Sequence, residues 1–138
     1  KIIMKKVVTF LLILIICIEV NAQSCKVFIG NSVDSINTIV SKIEIAIHSK
    51  FINKTKNNNG YSFSDDKGNE LQINGEDEIE KVIVNCADAK IRVAFYNLLK
   101  QQASTCPNYQ LIEKPFESIM FNNRSRLYLK GSNVYIVK

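Results

Sequence analysis

The sequence has no tryptophan and one histidine, His48, among its 138 residues. A lone histidine excludes the usual zinc sites, which draw on several His or on Cys/His pairs at fixed spacing. It also leaves a single candidate for imidazole base catalysis. Without tryptophan, tyrosine is the aromatic that joins an apolar ring to a polar handle. There are five glycines and two prolines, and neither a phosphate-binding glycine loop nor a G-x-S-x-G elbow occurs. No cofactor motif is present, so neither a cofactor nor a metal is expected. Long apolar runs are missing too. The longest, residues 7–18, is closed by Glu19 after twelve positions, whereas about 20 are needed to cross a bilayer.

That short run has a clear reading of its own. Lys5-Lys6 forms a basic start, residues 7–18 an apolar centre, and Val20-Asn21-Ala22 a junction with short side chains. Together they make a secretory signal peptide over 1–22, with translation starting at Met4. An uncleaved anchor and lipidation at Cys25 are the alternatives. A buried core helix fits worse, because the segment has no polar side to meet water. Residues 23–138 are then an exported domain, secreted or periplasmic, with no membrane span after cleavage. Its 116 residues suffice for one core.

Charge gives little direction. The whole chain carries 18 basic and 13 acidic residues; without 1–22 the counts are 15 and 12, or +3. Nucleic-acid binding is not expected, since no basic stripe concentrates this charge. Three cysteines remain after cleavage: Cys25, Cys86 and Cys106. In an oxidising compartment an odd number implies one disulfide and one spare thiol. A helix predicted between Cys86 and Cys106 would hold them about 25 Å apart, beyond the roughly 7 Å that a disulfide can bridge. Cys25–Cys106 is the favoured pair.

Along the chain, 26–29 reads as a short strand ended by Gly30. Ile36, Ile39, Val40, Ile43, Ile47 and Phe51 repeat at three- and four-residue steps and predict a helix over 33–51. Residues 53–60 read as a polar loop with a glycosylation triplet at Asn53-Lys54-Thr55; a second lies at Asn123-Arg124-Ser125. Alternation in 61–64 and 70–73 predicts a hairpin around Asp65-Asp66-Lys67-Gly68-Asn69. Residues 79–84 are a third strand, and Asn85 caps a helix with Ile91, Ala94, Phe95, Leu98 and Leu99 inward; one long helix over 76–103 is the alternative. Strands follow at 109–113 and 116–121. Then Gly131-Ser132 joins 126–130 to 133–137 in a type II′ hairpin. No internal repeat is visible. The fold class is α+β: a single small domain, an antiparallel sheet with two helices packed on one face.

The last hairpin supplies the candidate site. Its register pairs Lys130 with Asn133, Tyr128 with Tyr135 and Arg126 with Val137, while Leu129, Val134, Leu127 and Ile136 point to the core. Arg126, Tyr128, Lys130 and Tyr135 thus share the outer face. Two tyrosines flanked by cations suit recognition of a protein, a glycan or an anionic ligand, with the partner unknown. Elsewhere, Asp65 to Glu70 lacks the alternating ligands of a calcium loop and reads as a plain turn. Glu76, Asp77, Glu78 and Glu80 read as a solvated acidic stretch. The expected function is a non-catalytic exported binding or interaction protein, of inhibitor, immunity or envelope-accessory type. The alternative is a small secreted hydrolase using His48 or Cys86, since a thiol at a helix N-terminus is activated.

Overall fold

Helical stripes and strand alternation sort the chain onto the two sides of one sheet. The computed structural model describes residues 27–122 and 125–138. The signal-peptide reading of 1–22 and the candidate Cys25 lie outside that set. Ile36, Ile39, Val40, Ile43 and Ile47 are the buried stripe of α1 (Ile36–Ile47), which a 3₁₀ turn, Val33–Ser35, leads into. Isoleucine is stiff at χ1 and a mediocre helix former, so burial of the stripe carries this helix. The helix stops at Ile47 rather than running to 51. His48 adopts a left-handed φ of 55°, and its N–H donates to the Glu44 and Ile45 carbonyls. Phe51 leaves the stripe: its N–H donates to Glu44 Oε2 at 2.8 Å, and its ring packs 6.0 Å from that of Phe63.

The strands are β1 (Asn53–Asn57), β2 (Gly60–Ser64), β3 (Glu70–Asn74), β4 (Lys81–Asn85), β5 (Gln110–Ile112), β6 (Ser118–Phe121), β7 (Ser125–Lys130) and β8 (Asn133–Val137). α2 (Ala89–Ala103) joins β4 to β5. Among the described residues they form one 8-stranded antiparallel sheet in the order β1-β2-β3-β4-β8-β7-β6-β5. Each half is a helix followed by a four-strand meander, and the two last strands, β4 and β8, meet at the centre. Leu71, Ile73, Val82, Val84, Leu127, Val134 and Ile136 point to one side and are at most 1% exposed. They form one core with the α1 stripe and with Phe95 and Leu99 of α2. Both helices therefore cover the same face. The final hairpin keeps the expected register, with Lys130 opposite Asn133, Tyr128 opposite Tyr135 and Arg126 opposite Val137. Gly131 takes φ +61° at the first turn position, which a side chain would resist.

Several expectations are corrected. Residues 27–30 are a turn and not a strand, with Val27 at φ 41° and Phe28 at φ 71°. β4 already has β3 and β8 as neighbours, so it has no free edge for this segment to pair with. Val27 and Ile29 instead plug into the core, and the Gly30 N–H donates to Ile79 O at 2.9 Å. The polar loop at 53–60 is β1 plus a turn. An edge strand exposed at all five positions needs no apolar residue to form. The single long helix over 76–103 is excluded by β4. Asn85 ends that strand, and Asp88 is the cap of α2, accepting the N–H groups of Lys90 at 2.8 Å and Ile91 at 3.1 Å. α2 is also rotated from the expected face: Phe95, Tyr96, Leu99 and Ala103 are buried, whereas Ala94 is exposed and Leu98 is 45% exposed.

Candidate functional site

The helix-free face of the sheet is where the outer side chains converge. Alternation sends Arg126, Tyr128 and Lys130 of β7 to this side, and the II′ turn sets Tyr135 of β8 directly beside Tyr128. The two phenol rings stack with centroids 4.8 Å apart and planes 13° apart. Phe116, ahead of β6, packs against Tyr128 with centroids 5.4 Å apart and the rings tilted by 60°. Arg126 and Lys130 remain exposed at either end of β7. Burial pushes the Tyr128 hydroxyl upward, Tyr135 adds to that, and Arg126 offsets part of it. Tyr128 is therefore a neutral phenol at physiological pH. The four residues expected to share a face do share it.

The neighbouring strands extend the site in a direction the sequence did not suggest. Ile83 of β4 pairs with Tyr135, Gln72 with Ile83, Ser62 with Gln72 and Thr55 with Ser62. A second row runs from Lys130 through Asn133 to Asn85 and Glu70. Between these rows lies an open trough of about 530 Å³. Amides and hydroxyls predominate in its lining, with the Tyr135 ring, Ile83 and the Glu70 carboxylate among them. Asn133 Nδ2 donates to Tyr135 Oη at 3.2 Å, and Asn57 Nδ2 donates to Ser62 Oγ at 2.7 Å. The outward positions of β2, β3 and β4 could be read from alternation alone. What placed them beside Tyr135 is the β4–β8 pairing, a contact between segments about fifty residues apart that leaves no local mark.

The other singled-out residues lie apart from this face. His48 is the exposed left-handed cap of α1, among Glu44, Ser49, Lys50 and Lys67. Glu44 is committed to the Phe51 N–H. Cys86 is fully buried, and burial pushes its thiol up, with Arg92 only partly offsetting that. It precedes the Asp88 cap instead of occupying the first turn of α2. For Cys86 this setting is opposite to that of an activated nucleophile. The Asp65–Glu70 segment is a turn that binds itself, as Asp65 Oδ1 accepts the N–H groups of Lys67 at 2.9 Å and Asn69 at 2.8 Å. Among the described residues no group of three His, Cys, Asp or Glu is placed to hold a metal ion. No helix among them is long and apolar enough to cross a membrane. No family model matches the chain, nor does any curated protein or solved structure.

Proposed function

We propose that this chain is an exported, non-catalytic binding domain, secreted or periplasmic, that takes a partner on the helix-free face of its sheet. The observation that carries the reading is the Tyr128–Tyr135 stack, flanked on the same face by Arg126 and Lys130. Rigid aromatic rings lose little conformational entropy on contact and supply much of the energy of binding patches. Export is supported by the pattern of residues 5–22. A Cys25–Cys106 disulfide belongs to the same proposal. Its support is that Cys86 is a free, buried thiol whereas Cys106 is not free, and that α2 separates the two. An inhibitor, immunity or envelope-accessory role agrees with a face that offers contact area without an assembled catalytic set. A hydrolase acting through His48 or Cys86 has weaker support, because the one is an open cap and the other has no access to solvent.

The test is a Tyr128→Ala/Tyr135→Ala variant, expected to keep its cooperative thermal transition and to lose capture of partners from the exporting compartment. Undiminished capture would remove the face from the argument. Intact mass of the exported protein, before and after reduction and thiol labelling, checks the rest. One disulfide, one thiol that labels once the protein is unfolded, and a start at Gln23 are expected; a lipid on Cys25 or retained residues 4–22 would make the protein membrane-tethered.

A further inference from the structure

From the trough beside the tyrosine stack, we infer that the ligand of this face is a neutral oligosaccharide. The inference rests on the binding-face reading above and adds the chemistry of the ligand. It starts from the order of rings across the sheet. Tyr128 stacks on Tyr135 at 4.8 Å and meets Phe116 at 5.4 Å with the rings tilted by 60°. Tyr135 has Tyr128 on one side only; on the other side its strand neighbour is Ile83 of β4. Tyr135 lines the trough and Tyr128 does not. One phenol face therefore forms a wall of the trough, stiffened from behind by two further rings. A pyranose presents a patch of C–H bonds that suits the negative face of such a ring.

The rest of the lining sets the ligand's polarity. Thr55, Ser62, Gln72, Asn85 and Asn133 offer hydroxyl and carboxamide groups, each able to donate and accept. Neighbouring sugar hydroxyls need this two-way capacity. Asn85 and Asn133 stand directly opposite each other on β4 and β8 and present two carboxamides side by side. Asn133 is oriented by its bond to Tyr135 Oη and Ser62 by its bond from Asn57, so part of the surface is set before any ligand arrives. The only ionisable group in the lining besides the Tyr135 phenol is the carboxylate of Glu70, and no Lys or Arg lines it. An anionic ligand, such as a phosphate, a sulfated glycan or a nucleic acid, would meet the Glu70 carboxylate there and no cation in the lining, since Lys130 and Arg126 stand outside the trough on β7. An apolar peptide would strand the amides without partners. At about 530 Å³ the trough lies within the roughly 300–1,000 Å³ usual for small-ligand sites.

The experiment titrates the isotopically labelled full chain with cellotetraose, chitotetraose and mannotetraose, and with a heparin tetrasaccharide as the anionic comparison. Side-chain amide signals of Gln72, Asn85 and Asn133 are the readout. At least one neutral tetrasaccharide should shift them saturably, with a Kd of about 1 mM or tighter. Gln72→Ala and Tyr135→Leu should each weaken this at least tenfold, whereas Lys42→Ala on the outside of α1 should not. Gln72→Ala removes only a half-buried outer side chain and keeps the test open if Tyr135→Leu misfolds. Absence of any shift with the three neutral probes overturns the inference, as does binding of heparin alone. So does neutral-sugar binding that neither variant weakens. If sugars fail while the Tyr128→Ala/Tyr135→Ala variant loses a captured protein, the sugar chemistry is wrong and the binding face stands. If that capture is also unaffected, both fall.

Discussion

Asp65 gathers four hydrogen-bond donors on one carboxylate: Ser49 Oγ, the Lys67 and Asn69 N–H groups, and Asn69 Nδ2. Asn69 in turn accepts the Ala87 N–H at 2.9 Å, so the β2–β3 turn is tied to the end of α1 and to the approach of α2. Burial alone would push the Asp65 carboxyl up. The bonds from Ser49, Asn69 and Lys67 outweigh it and hold the group at about 2, against the usual 3.8. A lowered pKa means that the ionised form stabilises the fold. The contribution is fully present above about 4 and is lost as pH falls through about 2. Discounted for partial exposure, it comes to about 1–2 kcal/mol. Asp65→Asn should cost that much in urea unfolding at pH 7, and the difference from wild type should vanish near pH 2. An equal difference at both pH values would show that the loss is steric. The turn itself was legible in Asp65 and Gly68. Its connections to Ser49 and Ala87 were not, because they join residues that only the folded sheet brings together. The same scale gives a prediction for Cys86: at 0% exposure its thiol should resist labelling until the protein unfolds.

At the scale of the element, α2 shows where a stripe can mislead. Ile91, Phe95 and Leu98 do recur at helical spacing, yet the helix sits turned so that Tyr96 faces inward. Its hydroxyl donates to Glu117 Oε1 at 3.0 Å, which also accepts Lys100 Nζ at 3.0 Å. A polar anchor beyond the helix thus selects among apolar faces of similar strength. Phe95→Ala should cost about 3–5 kcal/mol, and Leu98→Ala less than about 1 kcal/mol, both measured by denaturant midpoint. Equal costs would restore the face centred on Leu98. The strands divide in the same way. The β7–β8 hairpin was fully legible, since Gly131 and two alternating runs fix its register locally. β1 was not, since five exposed residues carry no apolar alternation. Gly60 marks another silent constraint: a Cβ there would overlap the Ile73 carbonyl oxygen. Gly60→Ala should therefore destabilise the hairpin by about 1–3 kcal/mol, seen as a lower Tm.

Across the whole molecule the decisive contact is the one between β4 and β8. It turns two meanders into one continuous outer face, half of it lined by Ser62, Gln72 and Asn85 and half by Tyr128, Arg126 and Lys130. The fold class was legible in the alternation of elements; this join was not. The pairing order also has a symmetry that no sequence comparison within the chain reveals. Counting along matched strands, Leu71 corresponds to Leu127, Val82 to Val134, Ile83 to Tyr135 and Val84 to Ile136. The inward pairs Leu71/Leu127, Val82/Val134 and Val84/Ile136 are apolar and buried in both halves, while the outward pair Ile83/Tyr135 differs. A helix with four strands, ending on an unpaired last strand, is complementary to a rotated copy of itself. Two such units meeting back to back close each other's exposed backbone. Linking them in one chain makes that mutual closure independent of concentration and lets the outer surfaces of the two units differ, one carrying amides and the other rings.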